Sequence, residues 1–264
     1  MTPRRVLGID GCAPGWVVVT LVDGVVTEVE VVEALAAALE GPAPAAVAVD
    51  MPIGLLDAPR DADRAARVLL PGRASSVFSA PPRSVVDAAR SGEVADHAAA
   101  TAMAVAVLGS GISMQAWRLV PAILEADALV AAGHDLREVH PEVAFAVLAG
   151  GALPRKRSWA GITTRRAVLE RLGVVLPDRF PGDDQVAPDD VVDAAVCAWV
   201  ADGIAGAGEV VTVPDATDQR DHSRPVVITA RVPPASPPGP RRRPRSPSTA
   251  TGSTASSSAP SQIT

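Results

Sequence analysis

Two short apolar runs each end in an aspartate: Val6-Leu7-Gly8-Ile9-Asp10 and Ala46-Val47-Ala48-Val49-Asp50. A third acidic group, Asp189, Asp190 and Asp193, follows Pro188. A carboxylate that closes a buried strand has no packing purpose there. If three such positions converged, they would offer oxygen ligands to a hard divalent cation, Mg²⁺ or Mn²⁺. That arrangement suits hydrolysis of a phosphodiester bond. Each position also has a plainer explanation. Asp10-Gly11 is a favoured turn pair, and Asp50, ahead of Met51-Pro52, could accept a bond in an Asx-turn. Asp189 and Asp190 suit the first turn of a helix through capping and the helix dipole. Asp193 lies beyond that turn, and it shares a face with Asp190 because the two are three residues apart.

Other residues could meet a substrate. Arg137-Glu138-Val139-His140-Pro141-Glu142 follows a predicted strand. It would bring Glu142 to the same sheet end as the aspartates, with His140 as ligand, base or donor. Arg60, Arg64, Arg67, Arg73 and Arg83 surround the Ser75–Pro82 loop. Hydroxyl, amide and guanidinium donors in such a loop can bind phosphate. The candidate substrate contacts are Arg67, Arg83, Gln115 and His140; the plainer role for the arginines is solvated surface.

The elements that must position these residues alternate between strands and helices. Val6–Asp10 reads as a first strand. Trp16–Val22 and Val25–Val32 flank Asp23-Gly24, a strong hairpin signal. Glu33–Glu40 reads as a short helix, and Ala45–Asp50 as a fully apolar, central parallel strand. Helical segments follow near 60–70, 84–109 and 115–132, then a strand at Asp135–Val139. Helices near 163–172 and 189–205, a strand at Glu209–Val213 and one more near 225–230 complete the body. The pattern predicts an α/β fold with a mixed five-stranded sheet: a three-stranded antiparallel meander plus parallel strands, flanked by helices. A helical insertion occupies about 55–133. The body is assigned to 1–230, and the Pro/Ser/Arg-rich segment 231–264 is expected to be a disordered tail, since it holds eight Pro, eight Ser and almost no large apolar residue.

Bulk composition narrows the classes further. Of 264 residues, 48% are hydrophobic and only 3% aromatic, so the core must be built from Val, Ala and Leu. Lys156 is the only lysine among 24 basic residues. Five of those 24, and none of the 30 acids, lie in 231–264, which leaves the rest of the chain at −11. That balance argues against broad nonspecific nucleic-acid binding. The two cysteines, Cys12 and Cys197, form no disulfide framework. The longest mostly apolar stretch, Ala98–Leu108, is about half a membrane span. A soluble, cytoplasmic protein without a membrane segment is expected.

Six ordered motifs carry a resemblance. Gly8-Ile9-Asp10-Gly11-Cys12 with Gly15-Trp16, Asp50-Met51-Pro52-Ile53-Gly54, Ser76-Val77-Phe78 with Pro82-Arg83, Ser113-Met114-Gln115, Glu138-Val139-His140-Pro141-Glu142 and Asp190-Val191-Val192-Asp193-Ala194 resemble domain-of-unknown-function family 429. The resemblance spans roughly residues 5–215, and members of that family are predicted RNase H-like nucleases. It implies an RNase H-like fold with the first two acids on adjacent first and fourth strands and the third on a late helix. Asp10, Asp50, Asp190 and Asp193 match those positions as metal ligands, and Glu142 is an extra acid of the family's own pattern. The expectation is therefore a hydrolase using two Mg²⁺ or Mn²⁺ ions, with nucleic acid or a nucleotide as substrate. The rivals are an ATP-dependent kinase or ATPase of the actin-like superfold and a non-catalytic RNase H-like binding module. The first lacks its second phosphate loop in this chain; the second lacks a visible aromatic stacking surface.

Overall fold

A computed structural model gives the structure of residues 2–234. Its centre is a five-stranded mixed sheet. β1 (Arg5–Cys12), β2 (Gly15–Val22) and β3 (Val25–Val32) form an antiparallel meander, and β4 (Ala46–Val49) and β5 (Leu136–Glu138) run parallel to β1. The order across the sheet is β3-β2-β1-β4-β5. The first and fourth strands are thus neighbours, as the resemblance implies. The Asp23-Gly24 turn joins β2 to β3.

Five helices lie between β4 and β5: α1 (Asp61–Leu69), α2 (Arg83–Ser91), α3 (His97–Leu108), α4 (Met114–Arg118) and α5 (Val120–Ala131). After β5 come α6 (Pro141–Ala149), α7 (Trp159–Arg171) and α8 (Pro188–Asp202). β6 (Val210–Val213), β7 (Arg220–Asp221), β8 (Arg224–Pro225) and β9 (Ile228–Arg231) close the described chain, with β6 paired to β9 and β7 to β8 outside the central sheet.

Strand alternation divides the core into two layers. Val6, Val17, Val19, Ala46 and Ala48 face α8, with Phe145 of α6 and Leu169 of α7 in the same cluster. Leu7, Ile9, Val18, Val47 and Val49 face the other way, onto Ile123 and Ala126 of α5. α8 is the central helix. Ala194, Ala195, Ala198 and Ala201 are fully buried, so its backbone comes very close to β1. At Gly8 a Cβ would lie 1.9 Å from the Ala198 nitrogen and 2.2 Å from the Ala194 carbonyl.

Several boundaries differ from expectation. β1 does not end at Asp10 but continues to Cys12, with only Ala13 and Pro14 before β2. The expected helix 84–109 is two helices, because Gly92 ends α2 in the left-handed region and Asp96 caps α3 by accepting from Ala99 N–H at 2.8 Å. The segment 115–132 is likewise split, into α4 and α5, with Pro121 in the first turn of α5. Glu33–Glu40 shrinks to a single 3₁₀ turn, Ala37–Leu39. α6 was not expected at all. The body also extends past residue 230. Arg231 ends β9, stacks on the Trp199 ring at 4.5 Å, and donates to the Trp199 carbonyl at 2.9 Å and to Asp202 at 3.1 Å. Arg231 therefore belongs to the core and not to a tail; the expected disorder of 235–264 lies outside the described residues.

Gly8→Ala tests the close approach of α8. Overpacking costs about 1–3 kcal/mol in a core that can adjust, and here the clash is with helix backbone. Thermal melting should show a fall of several degrees or failure to yield folded protein. An unchanged melting temperature would mean that α8 is not held this close.

Candidate metal centre

Period-2 alternation sends Val6, Gly8 and Asp10 of β1 toward α8, and it sends Ala46, Ala48 and then Asp50 the same way. The β1–β4 ladder stops at Ile9–Val49, where Asp50 N–H donates to the Ile9 carbonyl at 2.9 Å. β1 runs on, held there by β2 alone. Asp10 and Asp50 thus lie side by side just beyond the last residue pair of two parallel strands. α8 brings Asp193 to the same place from above.

The three side chains meet. One carboxylate oxygen from each of Asp10, Asp50 and Asp193 lies within 4.8 Å of the others. Ligand oxygens at roughly 2.0–2.6 Å from one hard cation lie at most about 5 Å apart, so the three can share an ion. Asp193 is buried, and its Oδ1 has no hydrogen-bond partner. A buried, unpartnered carboxylate oxygen costs the protein its full desolvation penalty, and a cation would satisfy it. The donor set is all oxygen, as Mg²⁺ or Mn²⁺ prefers.

The charges match that reading. Burial, then the neighbouring charges of Asp50 and Asp193, hold the Asp10 carboxyl well above its ordinary range. Burial pushes Asp50 up to about 7, with Lys156 pulling the other way. Asp193 is raised by burial as well, and Lys156 opposes it. Lys156 was visible in the sequence only as the sole lysine. Its Nζ lies 2.5 Å from Asp193 Oδ2 and 3.7 Å from Asp189 Oδ2. Burial works against its ammonium, but Asp193, Asp50 and Asp10 outweigh that and raise its pKa.

A buried scaffold holds the Lys156 loop in place. Ser158 caps α7 by accepting from Gly161 N–H at 3.0 Å. A Cβ on Gly161 would sit 1.9 Å from the Arg155 carbonyl, so the loop lies directly against the first turn of α7. Arg165, fully buried, donates to the Pro154 carbonyl at 2.7 Å and to Glu142 at 2.7 Å. Glu142, expected among the working acids, is this ion-pair partner instead, with Arg73 at 3.8 Å on its other oxygen. It tethers the Lys156 loop to α6. Glu138, which ends β5, pairs with buried Arg60 and accepts from Ile53 N–H at 2.7 Å, which fixes the turn that follows Asp50.

The other expected residues are placed as follows. Asp190 stands beside the three acids and raises Asp10 and Asp50, but contributes no oxygen to the 4.8 Å group. Asp189 is paired with Arg157 at 3.2 Å. His140 adjoins the cluster, its imidazole held below the ordinary value by burial and its Nδ1 unpartnered. Arg67 is committed to the Val77 carbonyl at 3.1 Å and Ser79 Oγ at 2.8 Å. Arg83 is committed to Asp127 at 2.9 Å and to Asp221, on the wall of a separate cavity. Gln115 is exposed on α4. Outside that set, Glu125 accepts from Trp16 Nε1 at 3.2 Å and Leu35 N–H at 2.7 Å. Cys12 neighbours Asp10 and Asp190, and burial with those charges pushes its thiol up to about 11, so it offers no thiolate.

The profile of the family described as "Protein of unknown function (DUF429)" matches residues 8–219. The chain belongs to this family. No curated protein and no solved structure matches the chain. The DUF429 match runs from within β1 past β6, ending just before β7, and so contains all three acids and Lys156. Among the described residues, no helix of this DUF429 chain is long and apolar enough to cross a membrane.

Raised carboxyl pKa values have a definite sign for stability. A folded-state value above the unfolded one contributes stability below about 4 that is lost as pH rises through the folded value. For Asp50 that value is about 7. Without metal, the melting temperature should fall between pH 5.5 and pH 8. Mn²⁺ competes with protons for the same oxygens, so its stabilising increment should be larger at pH 8 than at pH 5.5. Melting curves at both pH values, with and without Mn²⁺, check this. An increment independent of pH would mean that the ion binds elsewhere.

Proposed function

We propose that this chain is a divalent-cation-dependent hydrolase of phosphodiester bonds, with nucleic acid or a nucleotide as its substrate. The observation that carries the proposal is the convergence of three oxygens from Asp10, Asp50 and Asp193 within 4.8 Å, one of the three side chains bearing an unpartnered buried oxygen. The resemblance of the six motifs to predicted RNase H-like nucleases supports the same reading. Asp10, Asp50 and Asp193 would hold Mg²⁺ or Mn²⁺. When bound, the cation supplies electrophilic stabilisation for a phosphoryl oxygen. The chain's own residues do the rest. β1 and β4 fix the two strand carboxylates, α8 fixes the third, and the hydrophobic layer under them keeps the carboxylates oriented. Neutral His140 lies next to the cluster as a hydrogen-bonding group for substrate. Two unpaired cysteines fit work in the cytoplasm.

Asp10→Asn keeps size and shape but removes charge. Outer-shell partners of metal ligands alone are worth about 10–100-fold, so loss of a ligand should cut Mn²⁺-dependent cleavage by more than about 100-fold. The apo protein should be as stable as wild type or slightly more so, since one of several mutually repelling carboxylates is gone. Cleavage of single-stranded, duplex and branched DNA and RNA by both proteins, paired with thermal melts, makes the comparison. Cleavage by the variant at the wild-type rate would refute the proposal.

A further inference from the structure

The charge balance around the three acids points to a further role for Lys156, on the basis of the cation-binding reading above. Asp10, Asp50 and Asp193 carry three negative charges when ionised. Glu142 is already matched by Arg165, and Asp189 by Arg157. Among the described residues, the only cation in contact with the three acids is Lys156, through Asp193 Oδ2 at 2.5 Å. Among those three carboxylates that leaves two uncompensated charges, the charge of one divalent ion, while half-buried Asp190 stands beside them outside the oxygen group. The geometry agrees. Lys156 takes Oδ2 of Asp193 and leaves Oδ1 buried and unpartnered. Asp193 therefore has a single free oxygen to give to the group it forms with Asp10 and Asp50. A pair of ions roughly 3.5–4 Å apart needs carboxylates that reach both.

We propose that Lys156 is a resident cation of the acid cluster that stands in place of a second metal, so that the site takes one divalent ion alongside the lysine. The residue type is informative. The chain's other 23 basic residues are arginine. A guanidinium would present its planar fork to both oxygens of Asp193, whereas an ammonium is a compact point charge that can occupy one. The loop that carries it is pinned from three sides, by Ser158, Gly161 and Arg165, so the ammonium is positioned before any ion arrives. The Lys156 side chain is about a third exposed, so the position is reachable from solvent.

Two measurements on the full chain test this without depending on activity. Titration calorimetry with Mn²⁺ at pH 8 should give one equivalent for wild type and two for Lys156→Met, because removing the ammonium frees the second oxygen of Asp193. Two equivalents for wild type, or one for the variant, would overturn the assignment and leave the proposed hydrolase function standing. Absence of Mn²⁺ uptake by wild type would overturn both. If the variant does not fold, the single lysine provides a second route: ζ-¹⁵N-lysine labelling gives one side-chain resonance. That signal should persist, shifted, at saturating Mg²⁺ if lysine and ion occupy the site together. Its collapse to the position of a free, solvated lysine would show that the ion displaces Lys156, and the assignment would fail.

Discussion

The whole arrangement depends on how closely α8 lies against β1. Gly8 has no side chain, and Ala194 and Ala198 present only methyl groups, so the helix and strand touch through their backbones. Asp193 is one residue before Ala194, and Asp10 is two residues after Gly8. The contact that closes the core is therefore also the contact that sets the distance between the two carboxylates. A larger residue at either interface would open both at once. This ties stability and site geometry to the same few small residues.

Electrostatics works against that packing. Hydrophobic burial brings three carboxylates together in a poorly solvated place, where their mutual repulsion is strongest. In the absence of metal the result is raised affinity for protons at Asp10, Asp50 and Asp193. The protein offsets only part of this with Lys156. It also surrounds the cluster with ion pairs: Glu142 with Arg165 and Arg73, and Arg60 with Glu138 and Asp63. These pairs hold the loops after β4 and before α7. Clusters of this kind, where perturbed carboxylates are kept despite their cost to folding, mark functional sites more often than structural ones.

Much of this could be read in the sequence, for local reasons. The apolar runs ending at Asp10 and Asp50 announce two buried strands, and Asp23-Gly24 announces the hairpin, so the meander and the parallel neighbour were legible. The acid at Asp193 stood out because helix-dipole arguments did not explain it. What stayed hidden depends on contacts between distant residues. Lys156 meets Asp193 across 37 residues and Arg165 meets Glu142 across 23, and no spacing rule connects such pairs. α6 escaped because its nine residues are almost entirely apolar and buried, with no amphipathic period to betray a helix. Its signals were Pro141 at the start and Gly150 after the end. The arginines around Ser75–Pro82 suggested a phosphate loop, yet Arg60, Arg67 and Arg83 each turn to protein partners, a choice that composition does not reveal.

The proposed function stands or falls on Asp10, Asp50 and Asp193 forming one cation site. Anomalous scattering from a crystal soaked in Mn²⁺ tests it most directly. An anomalous peak is expected within about 2.6 Å of an oxygen from each of the three carboxylates. Density for Mn²⁺ only at surface carboxylates, with none between β1, β4 and α8, would contradict it.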